Sequence, residues 1–333
     1  MRNRQTLRLA RRRLLAGAAA SPALAGLGWA QPAWPGGRAV TMVVAFPPGG
    51  QADVSARPIA AAMERVLGVP VPVVNRPGAA GALGNAFVAR APGDGHTLLM
   101  ALSSMLILPE ADRIHNRPPQ YEVEQLAPIA RITNDPTILV VSGDSPWRSL
   151  EDFVADARRR PGAISYASSG NFGALHVPMV LFSAAAGIDL LHVPFQGGGP
   201  ALTALLSGTV QALASGTGPV MQHLQSGRLR ALASWAPTRQ PHLPDLPTFI
   251  ELGYRDVQYA IWAGIFAPAS TPLPLREQIR AAVARAAQDP DAQRALATAG
   301  SPLAYLDGEA FARFVAEDHA RLVAVARRIG RVE

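Results

Sequence analysis

From residue 39 onward the chain repeats one unit: a short apolar run, a glycine-rich turn, then apolar residues at helical spacing. Residues 39–46 are apolar and end in Pro47-Pro48-Gly49-Gly50, after which Ile59, Met63, Val66 and Leu67 fall on one helical face. A second run, 71–74, leads into Asn75-Arg76-Pro77-Gly78-Ala79-Ala80-Gly81 and a helix to about 89, and a third, 97–101, ends at Ser103-Ser104. The same grammar resumes at 137–141, with Ser149 placed to cap a helix over 150–159. It continues with a strand over 164–167 ending in Ser168-Ser169-Gly170-Asn171, a helix to 186, and a strand over 190–193. Next come Phe195-Gln196-Gly197-Gly198-Gly199-Pro200 and a helix to 206, then strands over 210–214 and 229–234. Residues 237–247 are proline-rich and read as surface loop, 257–267 as a long strand, and 274–331 as amphipathic helix broken near 300–308. Strand, glycine turn and helix in alternation predict an α/β fold of mostly parallel sheets flanked by helices. Two lobes are expected, 36–134 with 257–333 and 135–256.

The first thirty residues follow a different rule. Arg2, Arg4, Arg8, Arg11, Arg12 and Arg13 precede an Ala/Leu/Gly run over 14–27, with small residues at cleavage-like spacing after it. That order predicts an export signal over 1–30, and Arg11-Arg12-Arg13 also fits a twin-arginine signal. The run is too short to span a bilayer, which takes ~20 apolar residues.

Composition changes its meaning once that segment is set aside. The 333 residues carry 31 basic and 24 acidic side chains, a net charge of +7, and every basic one is Arg. Six of the 31 lie in the first thirteen residues, which leaves 25 basic against 24 acidic residues, near neutrality. No global attraction for nucleic acid follows, and none is expected as a partner. The absence of Cys excludes disulfides, thiolate metal sites, a cysteine nucleophile and a lipid-modified cysteine, so no stable membrane anchor is expected. The absence of Lys excludes Schiff-base chemistry and a Walker-type phosphate loop.

Four turns follow a strand and open a helix: Gly49-Gly50, 78–81, 168–171 and 197–199. At the carboxyl edge of an open α/β sheet such turns face ligands, and each helix start offers unpaired amides and the positive end of a dipole. Together they predict an amide-lined cleft for a small carboxylate. Asp53 reads as an N-cap or a water-holder, since a carboxylate facing a carboxylate repels. Trp262 and Phe46 read as core. Ser169 with His176 is the one arrangement resembling nucleophile and base, and it lacks an orienting acid. The seven histidines show no metal-type spacing, so neither metal nor cofactor is expected.

The motifs Phe46-Pro47-Pro48-Gly49-Gly50-x-x-Asp53, Asn75-Arg76-Pro77-Gly78-Ala79-x-Gly81-x-x-Gly84 and Pro92-x-Asp94-Gly95 resemble the tripartite tricarboxylate transporter substrate-binding proteins, the Bordetella uptake gene (Bug) family. The likeness continues through Tyr166-x-Ser168-x-Gly170 with His176, through His192-Val193-Pro194-Phe195-x-Gly197-x-Gly199-Pro200-Ala201, and through Gly227-Arg228-Leu229-Arg230 and Leu246-Pro247-Thr248-Phe249. It implies a two-lobed periplasmic-binding-protein (Venus-flytrap) fold. It also implies a monomeric receptor, free in the periplasm, that closes on a small organic carboxylate and delivers it to the membrane permease subunits of such a transporter. The binding positions it implies are Pro48, Gly49, Gly50, Asp53, Ala80, Ser168, Ser169, Gly170, His176, Phe195, Gly197 and Ala201. Gln211 and Ser215 stand where members commonly carry Asp, Ala204 replaces another usual Asp, and Phe195 replaces a common Tyr. The lost acids point toward a carboxylate without an amino group. Two other readings are compatible with the residues: an exported serine-dependent hydrolase, and a ligand-sensing partner of a membrane sensor.

Overall fold

The computed structural model describes residues 34–255 and 257–331; the export segment expected over 1–30 lies outside them. The chain first runs β1 (Thr41–Val44), α1 (Gln51–Leu67), β2 (Val73–Asn75), α2 (Ala82–Ala89), β3 (Thr97–Leu102), α3 (Leu108–Ile114) and β4 (Leu126–Pro136). It continues through β5 (Ile138–Ser142), α4 (Leu150–Arg159), β6 (Ser165–Ser168), α5 (Val177–Ala186), β7 (Leu191–Pro194), α6 (Gly198–Leu206), β8 (Ala212–Ser215), α7 (Thr217–Gln225) and β9 (Leu229–Ser234). It closes with β10 (Ala260–Pro268), α8 (Leu273–Ala287), α9 (Pro290–Thr298), β11 (Leu303–Asp307) and α10 (Gly308–Ile329).

The strands form two sheets, ordered β11-β4-β10-β3-β1-β2 and β7-β6-β8-β5-β9. The parallel expectation holds in one half of each, β2-β1-β3 and β7-β6-β8. The other half is antiparallel, because β10 and β11 enter their sheet in the opposite sense while β4 runs with β1–β3, and β5 enters its own sheet in the opposite sense. Both sheets are therefore mixed. β4 hands the chain from the first sheet to the second, and pairing with β10 persists through Pro136, two residues past position 134.

Local chemistry accounts for the elements that position the cleft. β1 and β3 are buried along almost their whole length, as strands covered by helices on both faces must be. α4 starts where a Ser149/Asp152 capping box satisfies two orphan amides. α10 is held to β10 by Trp262, whose indole N–H donates to Asp318 at 2.7 Å and whose ring meets Phe311 edge-on. The longest strand, β4, has no counterpart in the apolar pattern. Two register shifts against β10 break its alternation into two buried positions followed by one partly exposed, and Pro128 and Pro136 further mask it. β11 occupies the predicted break at 300–308. Among the described residues no helix is long and apolar enough to cross a membrane.

Candidate ligand-binding site

The first glycine turn owes its shape to Asp53. The Asp53 carboxylate accepts from Gly49 N–H at 3.1 Å, from Arg57 Nε and Nη2 at 2.8 Å each, and from Asn75 Nδ2 at 3.1 Å. Burial pushes this carboxyl up, but the bonds from Arg57, Asn75 and Gly49 outweigh it and hold it below the usual carboxylate range. The capping role expected of Asp53 is not what forms: Gly50 is the N-cap of α1, and no side chain caps that helix. With its lone pairs occupied by the protein, Asp53 braces the turn from behind.

The serine turn of the second lobe is held differently. Ser168 Oγ lies 2.6 Å from His192 Nε2 and accepts from Gly170 N–H at 3.1 Å. His192 stacks on His176 at 4.2 Å between centroids and on Tyr166 at 5.0 Å. Burial lowers the His176 pKa to about 3, with a further contribution from His192, and lowers that of His192 to about 4. Both rings are neutral at pH 7. His176 Nδ1 accepts from Phe172 N–H at 3.0 Å, which leaves its proton on Nε2. Ser169 Oγ accepts from Leu175 N–H at 3.4 Å, so the nucleophile–base pairing of Ser169 with His176 does not form.

The lobes meet along a seam where these turns touch. A Cβ on Gly197 would lie 2.6 Å from Pro47 Cδ, one on Gly199 2.6 Å from the Pro48 carbonyl oxygen, and one on Gly170 3.1 Å from Ala80 Cβ. At Gly197 and Gly199 a side chain would force the seam apart, and at Gly197 and Gly170 φ values of +142° and +107° favour glycine in addition. Ala80 itself holds φ +55°, unusual for a residue with a side chain, inside the short 3-10 turn Ala79–Gly81.

Inside the seam lies a cavity of about 20 Å³, room for a single water, lined by Phe46, Gly50, Gln51, Leu102, Ser169, Gly198, Ser215 and Gly216 among others. Three helices begin at this cavity, α1 after Gly50, α6 after Gly197 and α7 after Gly216, and none has a side-chain cap. No charged side chain lines it. A larger cleft of about 620 Å³ opens beside it, walled by Ala80, Asp112, Arg117, Gly170, Asn171 and Phe195 among others.

Of the positions expected from the sequence, Gly50 and Ser169 line the inner cavity, and Ala80, Gly170 and Phe195 line the larger cleft. Pro48 and Gly49 face Gly199 in a recess at the seam's outer edge. Gly197 packs on Pro47. Asp53, Ser168, His176 and Ala201 are buried behind the turns and line none of these spaces. Ala204 is buried within α6, and Gln211 Oε1 accepts from Ser165 N–H at 3.1 Å, away from the cavity. Phe46, read as core, is buried in the hydrophobic core and also forms part of the cavity wall. Gln51 also lines the inner cavity, and its one signal in the sequence is a polar residue directly after Gly49-Gly50 at a helix start.

Residues 55–331 match the profile of the tripartite tricarboxylate transporter family receptor. The chain belongs to this receptor family. BugT of Bordetella pertussis is 33% identical over 294 residues, which cover 88% of this chain and 90% of that protein. Among solved structures, MatC from Rhodopseudomonas palustris with bound malate superposes with a TM-score of 0.80 at 31% identity, covering 87% of this chain and 99% of MatC. R. palustris Rpa4515 with adipate gives 0.81 at 29% identity, covering 88% and 97%. This is a family of solute-binding receptors, not of enzymes, which sets the hydrolase reading aside.

Proposed function

We propose that this receptor works in the periplasm, where it binds a small organic di- or tricarboxylate between its lobes and delivers it to a permease of the tripartite tricarboxylate type. The observation that carries the reading is the convergence of three uncapped helix N-termini on one cavity without a charged side chain. Each such end favours an anion by roughly 0.3–1 kcal/mol when exposed and up to about 2 kcal/mol when partly buried. Charge-assisted bonds from the free amides add to that. Amide recognition suits a carboxylate and leaves selectivity to the surrounding shape, and the ligands of MatC and Rpa4515 are of this class.

The inner cavity, about 20 Å³, has room for only a single water, so a dicarboxylate needs the seam to part and then re-form around it. The chain crosses between the sheets after Pro136 and again between Ser234 and Ala260, and these crossings serve as the hinge. A ligand held by α1 on one lobe completes its bonds only when α6 and α7 arrive, which shifts the population toward closure. A thermal-shift series with four- to six-carbon dicarboxylates tests the reading. At least one should raise the melting temperature by several degrees in a concentration-dependent way, without turnover. A series in which no carboxylate shifts the transition would overturn it.

A further inference from the structure

One group in the cleft is unexplained by amide recognition. Gln51, the first residue of α1, is 4% exposed, and its Nε2 donates to Asp135 Oδ2 at 2.5 Å and to Ser301 Oγ at 2.7 Å. Ser301 Oγ in turn donates to the same Asp135 oxygen, closing a triangle behind the side chain. With Asp135 ionised, this triangle fixes which way the carboxamide points, because turning it over would set Gln51 Oε1 against a carboxylate oxygen. Burial pushes the Asp135 carboxyl up to about 7, so the lock is complete above that pH. Oε1 is therefore aimed at the second lobe, where a Cβ on Gly216 would lie only 2.3 Å from it. It is buried and has no hydrogen-bond partner among the described residues. A buried acceptor left unpaired costs free energy that a donor in the cavity would recover.

We infer that Gln51 Oε1 accepts a hydrogen bond from a hydroxyl carried by the ligand, so that the receptor selects 2-hydroxycarboxylates over their unhydroxylated parents. The inference rests on the carboxylate reading above and adds the substituent. The amides of Gln51 and Ala52 open the helix that would hold the carboxylate, and the Gln51 side chain springs from the same residue. A donor meant for Oε1 belongs on the carbon next to the carboxylate. An ammonium would meet three positive helix ends and no acid in the cavity wall, because Asp135 lies behind the Gln51 amide. A hydroxyl satisfies Oε1 without bringing a charge. In this arrangement Asp135 and Ser301 are positioning residues that touch no ligand.

Calorimetric titration of matched pairs decides the point: malate against succinate, 2-hydroxyglutarate against glutarate, 2-hydroxyadipate against adipate. For the chain length that fits, the native protein should bind the hydroxy acid about 5- to 50-fold more tightly, the value of one satisfied buried acceptor. Gln51→Met should bring that ratio within about 2-fold, because it removes the acceptor, and a change in affinity common to both members of a pair cancels in the ratio. Asp135→Asn, which lets the carboxamide face either way, should lower the ratio without abolishing binding. Equal binding of both members of every pair, or a preference that survives in Gln51→Met, overturns the inference and leaves the carboxylate reading intact. Failure of the native protein to bind any dicarboxylate overturns both. If Gln51→Met does not fold, the ratio in the native protein and in Asp135→Asn still decides, and an undiminished ratio in Asp135→Asn overturns the lock.

Discussion

The two turns that line the inner cavity from opposite lobes, one through Gly50 and the other through Ser169, are built from opposite materials. The first-lobe turn is held by a buried carboxylate with an arginine, an asparagine and a backbone amide around it. The second-lobe serine turn is held by neutral rings, Tyr166, His192 and His176 in a stack, with Ser168 bonded to the middle one. Both leave the side that faces the inner cavity without formal charge. On the first lobe the charges neutralise each other behind the turn, and on the second, burial keeps the histidines unprotonated. In each case the turn presents backbone amide and small side chains to the inner cavity, so an anion placed there would meet dipoles rather than a competing salt bridge.

The largest effect should come from the seam, where the first-lobe turn meets the second-lobe turn 197–199. Gly199→Ala places a Cβ 2.6 Å from a backbone oxygen of the opposite lobe, at a helical position where alanine favours the helix itself. Closure should be blocked, and carboxylate affinity measured by calorimetry should fall about 10- to 100-fold. Circular dichroism should show both lobes still folded. Retained affinity would mean that the contact between the turns is dispensable.

A smaller effect is expected from the brace. Asp53→Ala strands Gly49 N–H and one of the two Asn75 Nδ2 protons, the other staying on the Phe46 carbonyl, and should cost about 1–3 kcal/mol in denaturant titrations. Arg57 is about half exposed, so its freed charge adds little to that loss.

The smallest is a difference in acid response. The two histidines have folded pKa values near 3 and 4 against an ordinary 6.5, so the unfolded chain takes up protons first and stability falls as pH drops below about 6.5. Asp53, held below its ordinary 3.8, contributes stability that is lost only in more acid solution. Melting temperatures recorded from pH 7 to pH 5 should fall less steeply for His192→Phe than for the native chain, whereas Asp53→Asn should leave the slope over that range unchanged. Parallel slopes in all three proteins would show that the stack does not set the acid response.

Much of this was legible in the chain, and the illegible parts share a cause. The strand–glycine–helix units appear in sequence because each is local: an apolar run, a turn needing glycine, and a helix face at fixed spacing. β4 escaped because its pairing is with β10, more than a hundred residues away, and the bulges that this pairing imposes erase the alternation that marks a strand. Asp53 sat in view as the acid nearest the first turn, yet its role depended on Arg57 and Asn75 converging on it. Gln51 carried almost no signal, since one glutamine after two glycines says nothing until Asp135 and Ser301 are brought behind it.

The sequence by itself determined the α/β grammar, the four glycine turns, the near-neutral charge outside the first thirteen residues, and the motifs of the receptor family. These depend on residue type and short spacing, which folding does not alter. The tertiary structure decided which turns touch, which side chains face the cavity, and which charged and titratable groups are turned inward to hold the turns. Those outcomes depend on burial and on partners distant in the chain, and no local pattern encodes where a carboxamide oxygen will be left without one.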